Sequence, residues 1–211
     1  MKYKLVIFDF DGTLADSFPF FLHTMNELAD VHKFKKVDVA DLETLRGYDA
    51  KRIMNYLELP FWKMPLVGRS FIKRMGEKSD QISLFAGVAP MLQRLAQNGI
   101  LLSLITSNSY HNVCRILGQE NLDLMMHPQF GSSLFGKQAH LKKVLRSTDI
   151  DSRDAIYIGD ELRDLEAARS ENVAFGAVTW GYTRTDALAA HSPAELFTSV
   201  AEIAAKICPQ V

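Results

Sequence analysis

The chain alternates between two hydrophobic rhythms. Short unbroken apolar runs occur at Lys4–Asp9 (Lys-Leu-Val-Ile-Phe-Asp), Ile100–Thr106, Asp154–Asp160 and Val173–Thr179. Runs of this length, closed by polar residues, read as strands buried on both faces of a parallel sheet. Between them the apolar spacing becomes helical. Val88, Met91, Leu92 and Leu95 fall on one helix face, with Pro90 in the first turn and Gly99 just past the end. Leu141, Val144 and Leu145 mark a second face, and Leu162, Leu165 and Ala168 a third. Ser192 and Glu195 have capping-box spacing, which predicts that a terminal helix opens there and carries Leu196, Val200, Ile203, Ala204 and Ile207. Strands alternating with helices imply right-handed crossovers and an open parallel α/β sheet.

One stretch departs from this rhythm. Residues 16–84 contain no buried-strand pattern, and four windows read as helical: Phe18–Val31, Val37–Leu45, Ala50–Leu57 and Leu66–Gly76, punctuated by Pro60 and Pro65. The expected organisation is therefore a core of residues 1–15 and 85–211 interrupted by a helical segment of residues 16–84. The insert leaves directly after the first strand, at the carboxyl edge where open α/β sheets bind ligands. A lid is a better reading than extra packing.

Composition narrows the partners. With 24 Lys and Arg against 25 Asp and Glu, the formal net charge of −1 removes the electrostatic reason to expect nucleic acid. The two cysteines, Cys114 and Cys208, argue against disulfide stapling and for a reducing compartment. The apolar N-terminal run is interrupted by Asp9 and Asp11, too early for a secretory signal, and no uncharged stretch is long enough to span a membrane. These features predict a cytoplasmic protein acting on a small molecule.

Polar clusters sit where the strands end: Asp9-Phe-Asp11-Gly12-Thr13, Thr106-Ser107-Asn108, Gly159-Asp160-Glu161 with Asp164, and Gly136-Lys137 after a less distinct strand. In an extended segment Asp9 and Asp11 point the same way. Two such carboxylates repel, so a proton or cation is held between them, which suits one ionised nucleophile beside one proton donor. A third carboxylate from Asp160 requires a cation. An all-oxygen set with room for water favours Mg²⁺ over Ca²⁺, and no His or Cys cluster has zinc spacing. Asp164 reads equally as a helix-capping carboxylate. Thr106, Ser107 and Asn108 offer a hydroxyl and successive N–H groups ahead of a helix near Tyr110–Leu117, an anion site or an ordinary cap. Lys137 opens a helix, where a cation opposes the helix dipole unless it neutralises something anionic. A carboxylate nucleophile, an acid–base partner, a hard dication and cationic and N–H donors fit phosphoryl transfer, with Asp9 attacking phosphorus and Asp11 moving the proton.

The segment Asp9-Phe-Asp-Gly-Thr-Leu-Ala-Asp-Ser17 resembles the first motif of the haloacid dehalogenase superfamily. Thr106 resembles the second, Lys137 in Phe-Gly-Lys the third, and Gly159-Asp-Glu-Leu-Arg-Asp164 the fourth, in family order. The helical insert is similar to the C1-type cap of the phosphoglycolate phosphatase-like branch. The resemblance implies a Rossmann-like parallel sheet core with helices on both faces, an inserted all-helical cap, Mg²⁺ dependence and an aspartyl-phosphate mechanism. It also implies that the side chains of Asp9 and Asp160 and the backbone carbonyl of Asp11 ligate the metal, with Asp164 and Glu161 supporting them. Dehalogenases of the superfamily lack an Asp two positions after the nucleophile, so Asp11 favours phosphate chemistry. Lys142 and Lys143 compete for the Lys137 role but fall later in the helix.

Substrate choice is expected from the insert, foremost Arg46 and Gly47, with Phe20, His23, Tyr48 and Arg52 as further candidates. Phe61-Trp62 reads as an apolar plug inside the insert or, if exposed, as a dimer contact. The expected activity is hydrolysis of a small phosphorylated metabolite by a monomer or homodimer. A sugar phosphomutase on the same core, or a catalytically silent phospho-ligand binder, are the alternatives.

Overall fold

The computed structural model describes residues 2–132 and 136–208. Strand β1 (Leu5–Phe8) is followed by helices α1 (Phe18–His32), α2 (Leu42–Leu45), α3 (Ala50–Tyr56), α4 (Met64–Glu77) and α5 (Val88–Gln97). Then come β2 (Leu101–Leu104), α6 (Tyr110–Leu117), α7 (Gln119–Leu122), α8 (Lys137–Thr148) and β3 (Ala155–Gly159). The chain finishes with α9 (Leu162–Ser170), β4 (Ala174–Val178), α10 (Thr185–Ala189), β5 (Glu195–Phe197) and α11 (Val200–Ile207).

The five strands form one sheet in the order β2-β1-β3-β4-β5, with every pairing parallel. Side-chain alternation along β1 splits the core. Val6 and Phe8 join Leu92, Leu95, Ile203 and Ile207 from α5 and α11 on one face. Leu5 and Ile7 join Leu141, Val144, Leu165 and Ala168 from α8 and α9 on the other. Strands covered on both faces must be apolar throughout, which is why they read as unbroken runs. In register, Phe8 lies beside Leu104 on one side and Ile158 on the other. The carboxyl ends of the three adjacent strands are therefore level, and the residues that follow them emerge together.

Residues 18–77 supply only helices and short 3₁₀ turns. They have an apolar cluster of their own, built from Met25, Leu28, Leu57, Leu59 and Val67. Pro65 sits in the first turn of α4, where its missing N–H costs nothing. The two connectors to the sheet run side by side: Ala15 bridges Leu84, the Asp16 amide donates to the Ser83 carbonyl (2.9 Å), and the Phe85 amide to the Leu14 carbonyl (3.0 Å).

Two sequence expectations are corrected. Glu195–Phe197 is an edge strand beside β4, and Ser192 has a left-handed backbone (φ 50°), so it does not cap a helix. The terminal helix starts at Val200, with the Glu202 carboxylate accepting the Thr198 amide (3.0 Å). A three-residue apolar run is too short for its period to be told, and pairing with β4 decides it. Second, the window Val37–Leu45 breaks into a 3₁₀ turn at Val39–Asp41 and the single turn of α2. The less distinct strand expected before Gly136 falls partly on residues 133–135, which lie outside the described residues; the stretch before them meets Leu102 and Ile105 through isolated bridges from Met125 and Gln129.

Leu28 is 1% exposed and Trp62 is 74% exposed. In urea unfolding, Leu28→Ala is expected to cost about 2–5 kcal/mol. Trp62→Ala should stay within about 0.5 kcal/mol of wild type.

Candidate active site

Asp9 follows β1 directly and keeps its ladder, its amide donating to the Ile158 carbonyl (2.9 Å). Its side chain is buried, and Oδ2 lies 2.7 Å from Lys137 Nζ. Lys137, the first residue of α8, is itself 2% exposed, and Nζ also lies 2.5 Å from Asp164 Oδ1. Burial by itself would lower the lysine's proton affinity. The adjacent Asp164 and Asp9 carboxylates outweigh it and raise the pKa above its ordinary value. Asp164 is fully occupied: Oδ1 also accepts the Tyr157 hydroxyl (3.1 Å) and Oδ2 the Glu161 amide (3.1 Å). It therefore caps α9 and seats Lys137 at the same time.

Asp160, just past β3, is 0% exposed. Its oxygens accept the Thr13 hydroxyl (2.7 Å) and the Tyr182 amide (2.7 Å), both neutral donors. Carboxylate oxygens of Asp9, Asp160 and Asp164 lie within 4.8 Å of one another. With all three ionised and Lys137 paired with Asp9 and Asp164, two negative charges would be left uncompensated inside the protein. The strain shows in proton affinities. Burial, then repulsion from Asp164, pushes the Asp9 carboxyl up to about 7 against the pull of Lys137. Burial, then Glu161 and Asp9, pushes Asp160 well above the usual carboxylate range. A hard divalent cation held by oxygen donors would relieve this charge, and the residues present fit one.

Asp11 stands at the edge of this group. Its Oδ2 accepts from Asn108 Nδ2 (3.1 Å), while Oδ1 is buried with no hydrogen-bond partner among the described residues. Burial raises its pKa, outweighing the opposing influence of the nearby Ser17 and Asn108 side chains. The turn behind it needs glycine: Gly12 has φ +80°, and a Cβ there would collide with Asp160 and Tyr182.

After β2, the Thr106 amide donates to the Gln129 carbonyl (3.0 Å), and Thr106 Oγ1 accepts the Asn108 amide (2.9 Å), leaving the hydroxyl proton to donate. The cap of α6 is Ser109, which accepts the Asn112 amide (3.2 Å), so neither Ser107 nor Asn108 is used that way. Asn108 Oδ1 accepts the Ser109 amide and Asn112 Nδ2, both at 2.9 Å. Lys142 and Lys143 are exposed on α8, and only Lys137 reaches the carboxylates.

The insert's candidates are more dispersed. Arg46 Nε and Nη2 donate to the Tyr182 and Gly181 carbonyls (both 3.0 Å), and Nη1 to Glu43 (2.9 Å). Gly47 follows in the same turn, its amide donating to the Thr44 carbonyl (3.0 Å). The Arg52 guanidinium lies 5.7 Å from the centre of the Tyr48 ring, and both line an open groove with Asn55 and Tyr56. Phe20 is buried against Phe71, and exposed His23 pairs with Glu27 (3.0 Å). Phe61 and Trp62 are 66% and 74% exposed, so they are not enclosed within the insert.

Sequence reasoning missed four contributors. Tyr157 looked like another apolar strand residue, yet its hydroxyl orients Asp164. Arg163 pairs with Glu161 through Nε (2.5 Å) and Nη2 (2.9 Å). Trp180 Nε1 donates to the Thr13 carbonyl (3.2 Å), and Tyr182 holds Asp160. The last two follow β4 immediately, so the fourth strand end was a signal available in the sequence.

A level row of parallel strand ends carrying buried acids and a buried ammonium, with the inserted helices beside it, defines a site of the Rossmann-like α/β class. The chain belongs to the haloacid dehalogenase-like hydrolase family, whose model matches residues 6–178. It is 30% identical over 191 residues to the phosphoglycolate phosphatase of Synechococcus elongatus, covering 90% of each chain. It is 24% identical over 204 residues to the N-acetylmuramic acid 6-phosphate phosphatase of Pseudomonas aeruginosa, covering 93% of this chain and 90% of that one. Among solved structures, CbbY from Rhodobacter sphaeroides, determined in complex with phosphate, superposes with a TM-score of 0.73 at 22% identity, over 95% of this chain and 96% of that one.

Because cation binding needs ionised carboxylates, protons compete below the Asp9 value of about 7. Mg²⁺ affinity measured by calorimetry is expected to rise from pH 5.5 to pH 8. Asp160→Asn, which keeps the shape and removes a charge, should abolish most of that binding.

Proposed function

We propose that this chain is a Mg²⁺-dependent phosphatase that hydrolyses a small phosphate monoester through an aspartyl-phosphate. The observation that supports it most is the buried cluster of Asp9, Asp160 and Asp164 around Lys137, with Asp11 adjoining it. The two curated relatives named above are both phosphatases, which points the same way, but their names differ in substrate.

Asp9 and Asp160, with the Asp11 carbonyl, would hold the cation. When bound, it neutralises charge on the phosphoryl oxygens. Lys137 favours the ionised form of Asp9 and lowers the repulsion an incoming anion meets. Asp9 then attacks phosphorus, its new O–P bond forming as the bond to the leaving oxygen breaks. Asp11, whose burial favours the protonated form, gives its proton to that oxygen. The Asp11 carboxylate next takes a proton from water. The water oxygen bonds phosphorus, the Asp9–phosphorus bond breaks, and phosphate leaves. In this reading Thr106, Ser107 and Asn108 form the phosphate-binding segment, with the Thr106 hydroxyl free to donate to a phosphoryl oxygen. Residues 16–84 act as the lid that excludes bulk water and selects the leaving group.

The test is phosphate release from p-nitrophenyl phosphate and from a panel of small phosphate monoesters that includes 2-phosphoglycolate. Turnover is expected to require Mg²⁺ and to vanish in Asp9→Asn. In Asp11→Asn it should fall by about 10²–10⁴-fold. Unchanged hydrolysis by Asp9→Asn would remove the nucleophile assignment.

A further inference from the structure

Asp160 owes half of its orientation to one backbone amide, that of Tyr182 (2.7 Å). The loop carrying that amide is held from the inserted helices and their connector. The Tyr182 hydroxyl lies 2.9 Å from Ser17 Oγ. Its ring meets Phe18 and Phe21 of α1 at 5.0 and 5.1 Å between centroids. Its carbonyl and that of Gly181 accept the two Arg46 bonds at 3.0 Å. The Arg46 carbonyl in turn accepts the Arg184 amide (2.9 Å). The Arg46 guanidinium also lies 5.4 Å from the centre of the Phe18 ring. Gly181 packs so closely on Asp160 that a Cβ would collide with the carboxylate. The loop and Asp160 therefore cannot shift independently.

We infer that Arg46 is a positioning residue: by clamping the Gly181 and Tyr182 carbonyls it fixes the amide that aims Asp160, so the cation seat is completed only when the inserted helices sit on the sheet. This rests on the reading of Asp160 as a cation ligand. It assigns Arg46 to the protein's own backbone, where sequence reasoning had assigned it to the substrate. Three of its five N–H donors, one on each of Nε, Nη1 and Nη2, are committed within the protein, so its principal geometry is set by the chain's own backbone and Glu43.

The experiment compares wild type with Arg46→Ala and Arg46→Lys. Amide hydrogen exchange of residues 179–184 is followed without metal, Mg²⁺ is titrated by calorimetry, and kcat and KM for p-nitrophenyl phosphate are measured at saturating Mg²⁺. Arg46→Ala is expected to speed exchange at Tyr182 and to weaken Mg²⁺ binding by about 10- to 100-fold, as loss of support behind a metal ligand does. KM should hold once Mg²⁺ is saturating, and Arg46→Lys, which keeps a donor, should fall between. Wild-type exchange and Mg²⁺ affinity in Arg46→Ala, with a raised KM, would overturn the inference and return Arg46 to the substrate. Faster exchange with unchanged Mg²⁺ affinity would overturn the coupling to Asp160. Exchange and Mg²⁺ binding do not require turnover, so a protein inert toward every phosphate ester fails the phosphatase reading without failing this one.

Discussion

An ammonium group with almost no contact with water, fixed between two carboxylates, organises this molecule. Lys137 at the start of α8 is costly in three ways: it is buried, it is charged, and it faces the positive end of a helix dipole. Only Asp9 and Asp164 together make it tenable. Each partner is fixed in turn by the backbone, Asp9 by the register of β1 and β3, Asp164 by the first turn of α9. The sheet order matters for the same reason. With β1 between β2 and β3, the residues after all three strands are forced into one small volume. The site follows from topology, and the charge in it follows from that crowding.

That crowding also explains why so much was legible beforehand. Unbroken apolar runs closed by acids announced β1 and β3, because a doubly covered strand has no polar position until it ends. The α5 face, closed by Gly99, was equally plain. Lys137 could be singled out by its awkward place in a helix, which its partners explain. What escaped was local competition and side-chain dual use. The Ser192–Glu195 spacing looked like a cap, and an edge-strand pairing with β4 won. Tyr157 sits in an apolar strand, and nothing in the pattern says that its hydroxyl would be needed. Arg46 showed its charge but not its partners, since the Gly181 and Tyr182 carbonyls lie far along the chain.

The two apolar faces of the sheet and the separate cluster under the inserted helices divide the work. The sheet holds the acids at fixed separations. The helices between β1 and α5 have their own small core, and they reach the acids through aromatic edges and a few polar bonds. Rigidity is thus concentrated where charges must be held close.

The paired connectors at Ala15 and Leu84 have a consequence for the lineage of such chains. Because the polypeptide exits and re-enters the sheet at neighbouring points, whatever lies between is a detour whose ends already touch. The entropy of tying off a detour grows only with the logarithm of its length. A longer, shorter or wholly different excursion could be spliced in at this junction while the strands kept their order and the acids their spacing.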